Sequence, residues 1–259
     1  MKVILVTGAS RGIGYATVKE CLSLSTDSVV YGVARSAEGL QRLEEEHPGR
    51  FVGIVGDVCD PQLPSSLLQR ISADHNQLDA IVANAGVLEP VHQLTDTAAY
   101  DPQQWKAHFD TNFFSIVTLV TTLLPLLQQS RGSVVLVSSG ASVKAYNGWA
   151  CYCAAKAALN SFARSIATDI PECRAIAVAP GVVNTQMQVE IRDVAGPRGM
   201  DPAALKRFTD LQLNNELLDP AVPGKVYATL ATQGVPGDLN GQYLRYNDSQ
   251  LNQLIADSL

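Results

Sequence analysis

The chain has 259 residues, 46% of them hydrophobic and 17% charged, enough for a sizeable core in one α/β domain or two small ones. A net charge of -6 and a pI near 5.2 argue against a nucleic-acid binder, which would carry a basic face.

Val3 to Val6 is a short apolar run, as expected of a strand buried on both faces of a parallel sheet. It leads into TGASRGIG, Thr7 to Gly14, and a helical pattern through about Leu24. Glycines after such a strand allow positive φ and let a phosphate approach the backbone, where the next helix presents free N–H groups. The spacing, with Gly8, Gly12 and Gly14, is G-x-x-x-G-x-G and not G-x-G-x-x-G, but its placement favours a nucleotide over a generic turn.

Ser28 to Ala34 reads as the second strand. The acidic residue that reads a free ribose 2′-hydroxyl falls roughly 20 positions past the glycines. That position is Ala34, followed by Arg35 and Ser36, and Arg11 lies in the glycine loop. An arginine pair makes forked bonds to a 2′-phosphate, so the cofactor expected is NADP(H) and not NAD(H).

The alternation continues with a helix over Ala37 to Glu46, a strand over Phe51 to Gly56 ending at Asp57, a helix over Pro61 to His75, and a strand over Leu78 to Ala83 ending in Asn84-Ala85-Gly86. Val87 to Tyr100 is a loop, and Gln103 to Gln129 is long and helical, with Asn112 before an apolar run. On its own an Asn there is a satisfied core amide or a cap. Gly132 to Val137 is a strand ending in Ser138-Ser139, and Arg174 to Ala179 is another, ending in Pro180-Gly181. Between them NGWACYCAAK, Asn147 to Lys156, opens a helix through about Ile170 that places Tyr152 and Lys156 one turn apart on one face.

Gln186 to Asn215 reads as two short helices around Gly196-Pro197-Arg198-Gly199, a flexible hinge composition, so this excursion is a candidate substrate lid. Pro220 to Gln233 reads as the last helix, Gln242 to Arg245 as the last strand, and the rest as a polar tail. About seven strands alternating with helices, without repeat or linker, predict a single doubly wound parallel sheet of Rossmann type.

Five cysteines form no C-x-x-C pair, and Cys151 and Cys153 point to different sides of their helix. Reduced, mostly buried thiols are expected, and no metal. The N-terminus lacks a signal-peptide core, and the apolar run Ile116 to Leu127, interrupted by threonines and Pro125, is shorter than a ~20-residue membrane span. A soluble, cytoplasmic protein without membrane or nucleic-acid partners is expected.

TGASRGIG, Asn84-Ala85-Gly86, Asn112, Ser139, Tyr152-x-x-x-Lys156 and Pro180-Gly181, in that order, resemble the short-chain dehydrogenase/reductase superfamily over essentially the whole chain. SSGASVKAYNGW and LNGQYLRYND resemble more narrowly the fungal benzil reductases that form (S)-benzoin, relatives of sepiapterin reductase. The resemblance implies that Gly8, Gly12 and Gly14 line the pyrophosphate of NADP(H), with Ser10, Arg11, Ile13, Arg35 and Ser36 also binding the cofactor. Asp57 and Val58 would meet the adenine, and Asn84, Ala85 and Gly86 the adenosine side. Val183 and Thr185, after the cofactor-binding Pro180 and Gly181, would bind the nicotinamide carboxamide. It implies Tyr152 as general acid, Lys156 on the nicotinamide ribose lowering the tyrosine's pKa, Ser139 on the substrate carbonyl, and Asn112 holding a relay water. Ser139 is preferred to Ser138 because the family places its serine thirteen positions before the tyrosine.

The implied activity is reduction of a bulky or aromatic ketone or diketone to a chiral alcohol, in a pocket walled by Tyr146, Trp149, Leu88 and Met187. A pterin-type reductase, an NAD-dependent alcohol dehydrogenase and a non-catalytic NADP-binding regulator are the alternatives. The family's habit of pairing through its two long helices implies a homodimer or tetramer. The paired glycine many members carry near the C-terminus is missing.

Overall fold

The computed structural model describes residues 1–257. Its seven strands are β1 (Val3–Thr7), β2 (Val29–Ala34), β3 (Phe51–Val55), β4 (Ala80–Ala83), β5 (Ser133–Val137), β6 (Arg174–Ala179) and β7 (Tyr243–Arg245). All pairings are parallel, in the order β3-β2-β1-β4-β5-β6-β7. Successive side chains of a strand face opposite ways. Ile4 and Val6 of β1 therefore enter one core, while Val3 and Leu5 enter the other.

The first core is closed by α1 (Gly12–Leu24), α2 (Ala37–Glu46) and α10 (Ala221–Gln233), through Val18, Leu40, Leu43, Val226 and Leu230. The second is closed by α3 (Leu63–Asp74), α5 (Ser115–Ser130) and α6 (Ala150–Asp169), through Leu67, Leu123, Leu127 and Leu159. The chain crosses from β3 at one side to β4 beside β1, so the strand order reverses at β1 and β4. In a doubly wound sheet the ligand crevice opens at that reversal, beyond the strands' C-terminal ends.

Three expectations change. The tail is not simply polar. Asp248 caps α11 (Ser249–Ala256) by accepting from the Gln250 N–H at 3.0 Å, and Leu251, Leu254 and Ile255 pack on the first core. That i, i+3, i+4 spacing is an amphipathic stripe.

The excursion after β6 is more helical than two short helices. It contains α7 (Gln186–Val189), a π-helical turn at Glu190–Ala195, α8 (Gly196–Gly199) and α9 (Pro202–Leu213). Gly196 and Gly199 are no open hinge, since both are buried. A Cβ on Gly199 would lie 1.9 Å from the Val91 carbonyl oxygen, and one on Gly196 2.0 Å from that of Ile191. These glycines allow close backbone packing.

The long central helix runs through α4 (Pro102–Phe109), a π-helical turn at Asp110–Phe114, and α5, 29 residues in all. By length and composition it could cross a membrane. Ile116, Leu119, Val120, Leu123, Leu126 and Leu127 instead fill the second core.

Candidate functional site

A cavity of about 1160 Å³ opens along the C-terminal edge of the sheet. Its floor is the glycine turn. Gly8 and Gly12 have φ of +69° and +56°, which favour glycine. The Gly8 and Ala9 N–H groups donate to the Val33 carbonyl, and the Asn84 amide donates to the Thr7 carbonyl at 2.9 Å. A Cβ on Gly14 would stand 2.2 Å from the Gly8 carbonyl oxygen, so Gly14 is a packing position beneath the turn and does not line the cavity. Gly8, Ser10, Arg11, Gly12 and Ile13 do line it, and so do Asn84, Ala85 and Gly86 from the end of β4. Thr185 lies opposite, its methyl 3.2 Å from where a Gly12 Cβ would be.

Past β2, Arg35 and Ser36 face the same cavity, with Asp57 and Val58 beyond β3. Arg11 and Arg35 are exposed, and neither has a carboxylate within 4 Å among the described residues. Glu38 also lines this end, but Arg42 pairs with it at 3.4 Å. Sequence reading missed this pair, although its i, i+4 spacing is visible.

The opposite end carries the polar triad. Tyr152 and Lys156 are buried at the start of α6 and line the cavity with Ser139. The Lys156 ammonium donates to the Val137 carbonyl at 2.8 Å and lies 5.7 Å from the Tyr152 ring centre. Burial pulls the ammonium down to about 8. Burial also drives the Tyr152 phenol up to about 12, with the Ser139 hydroxyl drawing it part of the way back. In this geometry burial dominates the phenol, and the group that opposes it is Ser139.

Ser139 caps the short 3-10 turn Gly140–Ser142, accepting from the Ala141 N–H at 3.1 Å. Its carbonyl accepts from the Ser142 and Tyr243 hydroxyls at 2.6 and 3.2 Å. Asn160 donates to the Ser142 hydroxyl at 2.8 Å and accepts from the Ser138 hydroxyl at 2.6 Å. Ser138 is thus committed to the scaffold. Asn160, Ser142 and Tyr243 went unnoticed in the sequence because they meet only through tertiary structure.

The Asn112 side chain does not reach the cavity. It is fully buried, accepts from the Val87 N–H at 3.0 Å and donates to the Val87 carbonyl at 3.0 Å. Its other N–H meets His108 Nε2 at 2.9 Å, while His108 Nδ1 lies 2.7 Å from the Glu89 carbonyl. An acceptor carbonyl on Nδ1 fixes the proton there and leaves Nε2 as the acceptor. Burial and the charge of Lys156 hold the imidazole below its usual pKa, although the Glu89 carbonyl opposes them. The role implied for Asn112 is thus not open to its side chain, which is spent on anchoring Val87.

Pro180, Gly181, Val183 and Thr185 line the far wall. Gly181 has φ +84°, and its absent side chain leaves room for Leu218 and Tyr246. Gln188 follows, also lining the cavity, with a buried Oε1 that has no partner among the described residues. That acceptor awaits a donor such as a carboxamide. Two positive-φ glycines, unpaired cations at one end and an orphaned acceptor at the other fit a nicotinamide dinucleotide.

The substrate end is aromatic. Tyr146 and Phe208 each stack on Trp149, at 5.0 and 5.2 Å, and Trp149 meets Tyr152 edge-on at 5.7 Å. Met187 lines the same wall, whereas Leu88, expected there, is packed inside the small cluster behind it. Phe208 and Arg207 were missed because α9 is remote in sequence.

The doubly wound sheet, its glycine turn and the Ser-Tyr-Lys group define a dinucleotide-dependent oxidoreductase scaffold. The family model for short chain dehydrogenases matches residues 2–195. A benzil reductase ((S)-benzoin forming) of Saccharomyces cerevisiae is 52% identical over 256 residues, spanning 96% of this chain and 97% of that one. A short-chain dehydrogenase/reductase of known structure from the same yeast superposes with a TM-score of 0.95 at 48% identity, over 98% and 99% of the two chains. A cytoplasmic protein with unknown function, also from that yeast, superposes with a TM-score of 0.83 at 46% identity, over 98% and 99%. This chain belongs to the short-chain dehydrogenase family, whose members are nicotinamide-dependent oxidoreductases.

Proposed function

We propose that this protein is an NADPH-dependent carbonyl reductase that converts a bulky or aromatic ketone or vicinal diketone, such as benzil, to a chiral alcohol. The observation that carries the reading is the meeting of Ser139, Tyr152 and Lys156 on the cavity wall beside the aromatic stack. The 52% identity to a benzil reductase supports the substrate class.

Arg11 and Arg35 would hold the 2′-phosphate, the glycine turn the pyrophosphate, and Lys156 the nicotinamide ribose. With its one protein acceptor at Val137, Lys156 keeps N–H donors for that contact. Reduced nicotinamide, once bound, supplies the hydride. Ser139 and Tyr152 donate to the substrate oxygen, where negative charge develops. Tyr152, pushed up to about 12, keeps its proton at neutral pH and gives it to an alkoxide, which is a stronger base than phenolate. The segment 186–215 covers this end of the cavity as a packed wall, supplying Met187 and Phe208. A cytoplasmic location is supported by the yeast protein so described. Assembly as a homo-oligomer is supported by the exposed ring of Phe114, which meets the half-buried Phe109 and Phe113 on the long central helix.

The test is NADPH oxidation with benzil by wild type and Tyr152→Phe, with chiral analysis of the product. Turnover should vanish in the variant while NADPH still binds. Near-normal activity in Tyr152→Phe would refute the mechanism.

A further inference from the structure

Arg207 is the exposed cation at the end of the substrate wall. Its guanidinium carbon lies 5.6 Å from the centre of the Tyr146 ring and 5.9 Å from that of Phe208, and it lines the cavity. One N–H meets the Tyr146 hydroxyl at 3.2 Å. Its neighbour Lys206 is bound to Asp210, but Arg207 has no carboxylate within 4 Å among the described residues. Lys144, likewise unpaired there, lies 6.0 Å from the Tyr146 ring centre. Two uncompensated cations at one ring are notable in a chain of net charge -6. The guanidinium is held by ring faces and one hydroxyl, which orients its fork and leaves most of its donors open.

We propose that Arg207 is a specificity residue that binds an anionic group, a carboxylate in the first instance, on the end of the substrate away from its ketone. The proposal rests on the carbonyl-reductase reading and narrows its substrate class to aromatic keto acids.

The placement of the anion follows from the wall. Trp149 touches Tyr152 edge-on, and Tyr146 and Phe208 lie one ring further out, next to Arg207. A ketone at Ser139 and Tyr152 thus puts an aryl group along Trp149 and a substituent of that aryl group at the guanidinium. A planar carboxylate accepts the fork in two parallel bonds, whereas an ester can accept but carries no charge. Glu190 also lines the cavity, so its carboxylate is the counter-charge to control for.

The experiment compares benzil bearing a 4-carboxylate with its methyl ester as substrates of wild type, Arg207→Gln and Glu190→Gln. In parallel, calorimetry measures binding of both compounds to the NADP+-loaded protein. The acid should have the lower KM in wild type. Arg207→Gln should raise the KM and Kd of the acid by roughly three- to fivefold, with kcat and the ester's constants little changed, as expected for an exposed, forked charge-assisted pair. Glu190→Gln should leave that preference standing.

Equal loss for acid and ester would make Arg207 a mere support of the wall and overturn the proposal, as would no change for the acid. If the ester turns over but the acid has no advantage, the inference fails and the reductase reading survives. If neither compound turns over while calorimetry still shows the Arg207-dependent preference, the reductase reading fails and the anion site stands.

Discussion

His108 gives the sharpest stability test, because its two bonds tie the loop after β4 to the central helix. Replacing it by leucine strands one Asn112 N–H in a residue that is fully buried. An unsatisfied buried donor costs ~1–3 kcal/mol. The Glu89 carbonyl belongs to an exposed residue and can turn to water, so its loss is the net value of a hydrogen bond, ~0.5–1.5 kcal/mol. Together His108→Leu should lower unfolding stability by about 2–4 kcal/mol. His108→Gln can offer a carbonyl to Asn112 and should recover much of that loss.

The pH dependence gives an independent sign. Burial and Lys156 hold the folded imidazole below its usual 6.5, so the unfolded chain takes up the proton first as pH falls. The wild type's advantage is complete above that value and fades as pH drops below it. Urea titrations of wild type and His108→Gln should therefore show the stability gap narrowing between about pH 7 and pH 5. A gap that stays constant or widens in acid, or a His108→Leu protein as stable as wild type, would refute the bonding scheme.

Further expectations follow from the cofactor end. Arg35→Asp should weaken NADPH binding by about ten- to a hundredfold while sparing NADH, because the forked phosphate contact becomes a repulsion; equal affinities in wild type would remove the 2′-phosphate assignment. Gly14→Ala should lower thermal stability by about 1–3 kcal/mol, since its Cβ would meet the Gly8 carbonyl oxygen at 2.2 Å and backbone must shift. The same variant should bind either dinucleotide poorly, and a melting curve matching wild type would show that the turn has room to relax.

What the sequence made legible were the elements with strong local signatures. Continuous apolar runs such as Val3–Thr7 have few alternatives to a two-faced buried strand, and the glycine turn follows directly from the first of them. The tail helix was hidden by polar composition, although Asp248 and the spacing of Leu251, Leu254 and Ile255 carried its signal. Asn112 shows where resemblance and residue chemistry part. The bland reading, a satisfied core amide, describes its side chain. His108 could have been paired with it, being one turn earlier on the same face. Phe208 and Arg207 could not have been found, because nothing local says that α9 folds back over Tyr146. The protonation balance at Tyr152 was also out of reach, since it depends on how completely the pair is buried.

The aromatic end of the cavity is walled by three separate stretches of chain. Tyr146 and Trp149 belong to the run that leads into α6, Met187 lies on α7, and Phe208 and Arg207 ride on α9. α9 reaches Tyr152 through the Trp149 ring, so a substitution on α9 reshapes the wall one ring away from Ser139, Tyr152 and Lys156. In this sense the chain offers redesign a single short helix, distant in sequence from the glycine turn and from α6, on which the wall can be varied.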